Sequence, residues 1–252
     1  MPRFFIPTEQ CTDSTVRIVG EDARHIARSL RMAVGDTVTV CDGEGRVYEC
    51  RLSHIRDEEV LGAVENIREG DGEPPYRVTV YMAYPKGDKL ETVIQKAVEL
   101  GASRIVPFVS ERCVKLPKAD RADAKQKRLS RIAEEAAKQC GRSRLPTVGE
   151  PLSFADMLRE GVKAPLALFC YEGERAQSLR AVLSGLPCPS DVSVVIGSEG
   201  GFSEAEARAA REAGFLSVHL GARILRCETA PSYVLSALSY AYEMAETDAA
   251  LS

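Results

Sequence analysis

No apolar run in these 252 residues is longer than a β-strand. The longest, such as Val192–Ile196 and Pro165–Phe169, fall far short of the ~20 residues that cross a bilayer, which excludes a transmembrane helix. Met1-Pro2-Arg3-Phe4-Phe5-Ile6-Pro7 is too short and too proline-broken for the apolar core of a secretion signal, so a cytoplasmic location is expected. Eight cysteines, at 11, 41, 50, 113, 140, 170, 188 and 227, include no Cys-x-x-Cys pair and no histidine at ligand spacing. Neither a disulfide frame nor a bound metal is expected from them. Cys41 and Cys170 lie in apolar stretches, where a reduced thiol serves as a small hydrophobe. The three histidines, His25, His54 and His219, share no motif with a nucleophile, which leaves triad hydrolysis without support. His219, in an apolar strand, reads as a core residue. Internal repeats and low-complexity tracts are lacking too.

What is present is an ordinary globular balance: 44% hydrophobic, 28% charged, net charge -4. That composition excludes general disorder, and the length suits one large or two modest domains. Charge is uneven along the chain. Residues 1–72 hold 9 Lys and Arg against 14 Asp and Glu, whereas 111–144 carry 11 basic residues and five acidic ones. Such an island suits either a solvated helix face or a surface that tracks phosphates, and composition does not choose between them.

Glu69-Gly70-Asp71-Gly72-Glu73-Pro74-Pro75 reads as a linker. Before it, strands are predicted at Thr37–Cys41, Arg46–Ile55 and Val60–Ile67, with an Asp42–Gly45 turn and one helix around Asp22–Leu30. After it, short apolar strands alternate with helices. Strands are expected at Arg77–Tyr84, Ile105–Val109, Leu166–Cys170, Val192–Ile196 and Leu216–Leu220. Helices are expected at Lys89–Leu100, Arg121–Gln139, near Leu179, at Glu204–Ala213 and at Ser232–Ala245. The expected organisation is a mostly β domain over 1–72 and an α/β domain over 73–252 with a parallel sheet covered on both faces. Such sheets bind ligands in the loops beyond their carboxyl ends.

Three of those loops carry chemistry. Gly197-Ser198-Glu199-Gly200-Gly201 follows a strand and leads into Ser203 and Glu206 at capping-box spacing. Its glycines permit close backbone approach to a ligand, although a tight strand-to-helix turn would use them equally well. It is neither a dinucleotide fingerprint nor a P-loop, and Glu199 favours a cationic or neutral polar ligand over a phosphate. Leu220–Pro231 mixes Gly221, Ile224 and Leu225 with Arg223, Arg226 and Glu228. Its apolar residues could floor a pocket for a flat ring while Arg226 meets an anion or a carbonyl oxygen; equally, its charges could pair with each other. Lys86-Gly87-Asp88-Lys89 could present Lys86 to a phosphate or simply open a helix.

In order along the chain, Lys86–Lys89, Gln95–Gly101, Ser110-Glu111-Arg112, Glu135–Arg142, Gly197–Gly201 and Leu220–Ala230 resemble the ribosomal RNA small subunit methyltransferase E family of the SPOUT superfamily. The likeness runs nearly end to end. It includes His25–Met32 and Gly35-Asp36, which are similar to that family's PUA-like RNA-binding domain. The resemblance implies S-adenosylmethionine as cofactor, methylation of a uracil N3 in 16S ribosomal RNA, a homodimer, and a C-terminal sheet tied in a deep trefoil knot. It places the cofactor against Leu168, Tyr171, Gly197, Glu199, Gly200, Gly201, Leu220, Gly221, Arg223, Ile224 and Leu225. It makes Arg28, Arg31, Lys86, Arg112, Arg142 and Arg226 the RNA-facing candidates. The chemistry of N3 methylation, which needs an anion stabilised and a proton accepted, points to Arg226 for the first and to Glu228 or Glu199 for the second. Ser198, Ala222 and Cys227 stand where the family usually has Pro, Pro and Thr. Two alternatives remain: another SPOUT target, ribose 2′-hydroxyl or guanine, or a non-catalytic RNA-binding assembly factor.

Overall fold

The computed structural model describes residues 1–113, 122–173 and 176–250. Within them the chain forms two compact units: residues 1–73 with 137–145, and residues 74–136 with 146–252. The expected boundary at 72/73 does not anticipate the crossing of 137–145 into the first unit. The cause is Glu73, whose carboxylate accepts hydrogen bonds from the Arg142 guanidinium (2.7 Å) and from the Ser143 and Arg144 amides (3.0 and 2.9 Å).

The first unit is a five-stranded sheet in the order β1-β3-β4-β5-β2, with β1 Arg3–Phe5, β2 Thr15–Val19, β3 Thr37–Cys41, β4 Arg46–Ile55 and β5 Glu59–Glu69. The predicted strands 37–41 and 46–55 are present, and the predicted 60–67 strand extends to 59–69. Alternation along β2 and β4 buries Val16, Ile18, Tyr48, Cys50 and Leu52 on one side and sets Arg17, Glu49 and Arg51 on the other. The predicted helix at 22–30 is a single α-turn, α1 Glu21–Arg24, continued by a π-turn over His25–Ser29.

The second unit carries an all-parallel sheet in the order β11-β13-β10-β12-β6-β7-β8, with short β9 (Leu152–Ser153) beside β7. Its strands are β6 Arg77–Ala83, β7 Arg104–Val109, β8 Thr147–Val148, β10 Leu166–Cys170, β11 Gln177–Ser178, β12 Asp191–Ile196 and β13 Leu216–His219. Helices α2 Lys89–Glu99, α3 Ala122–Cys140, α4 Phe154–Gly161, α5 Leu179–Ser184, α6 Glu204–Ala213 and α7 Ala230–Ala250 complete it, α3 running on into the first unit. Leu90, Val93, Ile94, Ala97 and Val98 recur at helical spacing and bury one face of α2. Gly101 then ends the turn at φ +89°, where an added Cβ would come within 2.6 Å of Pro74. Phe108, Phe169, Phe202 and Phe215 pack one side of the sheet, Phe169 and Phe202 with ring centres 4.2 Å apart. The chain runs from β6 outward to β8, returns to β10, and only then inserts β12 between β10 and β6. That reversal brings the carboxyl ends of β10, β12 and β13 together, the place where open parallel sheets leave a crevice.

Candidate functional site

The loop after β12 is a closed turn. The Gly201 amide donates to the Ser198 carbonyl at 2.9 Å with Gly201 at φ +63°, a backbone region that L side chains rarely adopt. A Cβ on Gly197 would lie 3.2 Å from both the Gly201 Cα and the Phe202 ring, so any side chain there obliges the turn or the ring to shift. Ser203 and Glu206 form the predicted capping box at the start of α6. Glu206 does more: its buried carboxylate also accepts from the Glu111 amide (2.8 Å) and the Ser110 hydroxyl (3.4 Å). Arg112 then donates to the Gly200 carbonyl at 2.9 Å. The turn after β7 is therefore fastened to the glycine loop from two sides.

Between the glycine loop, the end of β10 and the loop before α7 lies a cleft of about 680 Å³. Ile196, Phe202, Val218 and Leu225 give it apolar walls; Lys89, Glu199, Arg226 and Glu228 bring charge to it. Lys89 Nζ stands 2.9 Å from Glu199 Oε1 and 3.7 Å from Glu228 Oε2. Glu199 also accepts from the Lys86 amide at 3.1 Å. Burial pushes the Glu199 carboxyl up, but the Lys89 ammonium and the backbone N–H donors together outweigh it and hold the group below the usual range. Glu228 is likewise held low, first by a hydrogen bond with its own backbone and then by the Cys227 thiol, against some desolvation. The Cys227 thiol donates to Glu228 at 3.3 Å and, pushed up to about 12 by burial and the neighbouring carboxylate, stays protonated. Two carboxylates are thus kept ionised in a half-apolar cleft, which suits a cationic or polar ligand with a flat apolar part. Among the described residues no cluster of metal-ligating side chains forms.

The structure distributes the sequence candidates as follows. Tyr171, Gly197, Glu199, Gly201, Leu220, Ile224, Leu225, Arg226 and Glu228 line the cleft. Gly200, Gly221 and Arg223 lie in the same loops outside that lining. Leu168 is fully buried within β10, two residues short of the strand end, because its side chain belongs to the sheet core; Cys170 and Tyr171 hold the edge instead. Lys86 is exposed at the mouth, and Arg226 reaches Glu228 only at 3.9 Å with a side chain 84% exposed. Arg28 and Arg31 are exposed in the first unit, Arg28 paired with Asp57 and Arg31 at φ +51°. Arg142, expected to face RNA, is 3% exposed and its guanidinium is engaged by Glu73, a structural ion pair. Of the basic island, Lys115, Lys118 and Arg121 lie outside the described residues. His219, expected in the core, is half-buried and accepts from the Gly221 amide at 3.3 Å. Lys89 is the site residue that motif reading passes over, and for Glu206 it gives the capping box but not the hold on the turn after β7. Lys89 was visible in Lys86–Lys89, but only the first lysine sits at the strand end that draws attention.

The chain matches an RNA methyltransferase domain family over residues 72–239 and an RNA methyltransferase PUA domain over residues 18–65. It is 36% identical, over 98% of its length and all of the relative's, to ribosomal RNA small subunit methyltransferase E of Bacillus subtilis (strain 168). Among solved structures, it resembles ribosomal RNA small subunit methyltransferase E from Neisseria gonorrhoeae bound to S-adenosyl methionine. That match has a TM-score of 0.84 at 31% identity and covers 96% of this chain and 98% of that one. A methyltransferase from Legionella pneumophila with bound cofactor SAM matches with TM-score 0.84 at 30% identity, covering 95% and 97%.

Proposed function

The chain belongs to the ribosomal RNA small subunit methyltransferase E family, and from that premise we propose that it methylates N3 of one uridine in 16S ribosomal RNA of the assembled small subunit, as a homodimer. It is an S-adenosylmethionine-dependent ribosomal RNA methyltransferase. The observation that carries the reading is the cleft beyond β10, β12 and β13, which pairs apolar walls with two ionised carboxylates.

The residues present fit the cofactor. The cleft volume lies in the range of small-molecule sites, about 300–1,000 Å³. Gly197 and Gly201 leave the loop backbone without side chains, and the Ser198 hydroxyl on that loop is buried with no hydrogen-bond partner. Tyr171, the Gly197–Gly201 loop and Leu220–Leu225 would hold the cofactor. When bound, S-adenosylmethionine supplies an electrophilic methyl group on a cationic sulfur, and carboxylates suit that charge where a phosphate-binding lysine would not.

Uracil N3 carries a proton of low acidity, which must leave for the nitrogen to become a nucleophile. Arg226, exposed and only loosely tied to Glu228, is free to swing onto O2 or O4 and stabilise the anion that develops there. Glu228 approaches Lys89 more loosely than Glu199 does, at 3.7 Å against 2.9 Å, which leaves it the more available acceptor of the proton. N3 lies on the Watson–Crick edge, so the target base has to be unpaired when it reacts.

In this reading residues 1–72 dock RNA through Arg28 and Arg31, and residues 73–252 hold the chemistry with Lys86 and Arg112 toward the RNA. The return of the chain from β13 to α7, which packs on β12 and α2, is compatible with a deep trefoil knot. The proposed homodimer would pair through α5 and α7, a reading supported by the groove that Leu186, Tyr233 and the 76% exposed Tyr240 line there. The described residues contain no helix long and apolar enough to cross a membrane, and the cytoplasm, where ribosomes assemble, is the proposed location. The test is Arg226→Ala. Calorimetric titration with S-adenosylmethionine should give an affinity within about tenfold of the wild type, while methyl transfer to small subunits is lost. Turnover at the wild-type rate would remove Arg226 from the chemistry.

A further inference from the structure

Glu199, on the glycine turn, and Glu228, on the connection before α7, both line the cleft, and both approach one ammonium. Lys89 supplies it from the first position of α2, with a side chain 36% exposed against 27% and 22% for the two carboxylates. Besides Lys89, Glu199 accepts from the Lys86 amide, and Glu228 meets the Cys227 thiol of its own loop and the more distant Arg226. Arg112 is occupied by the Gly200 carbonyl.

We propose that Lys89 is a positioning residue of the cofactor cleft, a clasp that ties the glycine loop and the loop before α7 to the start of α2. The inference deepens the methyltransferase reading and rests on it for the identity of the ligand. An exposed ion pair contributes little, but one ammonium shared by two half-buried carboxylates on separate loops removes a repulsion that would otherwise push those loops apart. The arriving cofactor is no substitute for it. Lys89 donates up to three hydrogen bonds and approaches both carboxylates in the ligand-free chain, before any charge of the cofactor reaches the cleft. Lys89→Met therefore leaves two partly desolvated carboxylates on separate loops without their shared counter-charge, and the loops lose that tie to α2. Lys89→Arg keeps charge and donors on a stem of similar length.

The test has one arm without ligand and one with it. In the ligand-free protein, amide hydrogen exchange over 197–201 and 225–229 should quicken about tenfold or more in Lys89→Met and return toward wild type in Lys89→Arg. In titrations with S-adenosylmethionine, Lys89→Met should bind about tenfold or more weakly, with Arg restoring the affinity to within about threefold. In the Glu199→Gln background the same Met substitution should cost far less, because the partner is already gone. Unchanged exchange in Lys89→Met, binding as tight as wild type, or effects that simply add would overturn the clasp. A wild-type protein that failed to bind S-adenosylmethionine would count against the methyltransferase reading alone, and the exchange arm would still decide the clasp.

Discussion

At the scale of single residues, the cleft is governed by what each charged group already holds. Arg142 and Arg226 look alike in the sequence, two arginines beside other charges. One is sealed against Glu73 at 2.7 Å, and the other stands in solvent at the rim of the cleft. Removing either member of the buried pair would strand an uncompensated charge, so Arg142 belongs to the stability of the first unit. Glu199 and Glu228 make the residue-scale prediction. Both carboxyls are held below the ordinary 4.5 in the folded chain. A group whose pKa is lower folded than unfolded contributes stability that is fully present above the unfolded value and disappears as pH falls through the folded one. Between about pH 5 and pH 3, the melting temperature of the wild type should therefore fall more steeply than that of Glu199→Gln/Glu228→Gln, with the curves parallel above about pH 5. Parallel curves throughout would mean that these carboxylates are not held low by folding.

At the scale of elements, the glycine loop and its neighbours act as one piece. The Gly201 turn, the α6 capping box, Glu206 on the Glu111 amide and Arg112 on the Gly200 carbonyl fix the loop from several directions. Gly197→Val adds a branched side chain where a single Cβ already meets the Gly201 backbone and the Phe202 ring at 3.2 Å. Binding of S-adenosylmethionine should drop below detection while the far-ultraviolet circular dichroism is preserved; retained micromolar affinity would show that the loop can re-form around the larger residue. The sequence made this element legible because glycine, a capping serine and an apolar strand each leave a local signature. The same holds for α2 and α6, whose apolar spacing and end signals are local. Strands β1, β8, β9 and β11 run only two or three residues, too short for any periodicity, and exist because a neighbour pairs with them. Helix α4 begins at a Ser153 cap after Pro151 and is only eight residues long, which hid it. The helix expected at 22–30 gave way to an α-turn and a π-turn after Gly20, whose φ of +70° resets the chain. The Lys89 bridge joins residues 110 positions apart in sequence, a distance over which no local pattern reports.

At the scale of the molecule, the proposed function gives the uneven charge a use. An overall charge of -4 says nothing for RNA, yet the segment 111–144 concentrates 11 basic residues in the same chain whose cleft is proposed to hold a cationic methyl donor. RNA docking through such a segment depends on salt, because each phosphate contact releases counterions. The parallel sheet, with β12 inserted late between β10 and β6, is what turns three separate loops into one site. The two units, matched to a PUA domain and to a methyltransferase domain, divide recognition from chemistry in the proposed function. The most direct measurement is nucleoside analysis by mass spectrometry of 16S ribosomal RNA, taken from small subunits incubated with the protein and S-adenosylmethionine. The account predicts one new 3-methyluridine per subunit, absent when Arg226→Ala replaces the wild type. A ribose-methylated nucleoside or a methylguanosine in its place, or no methylated product at all, would contradict it.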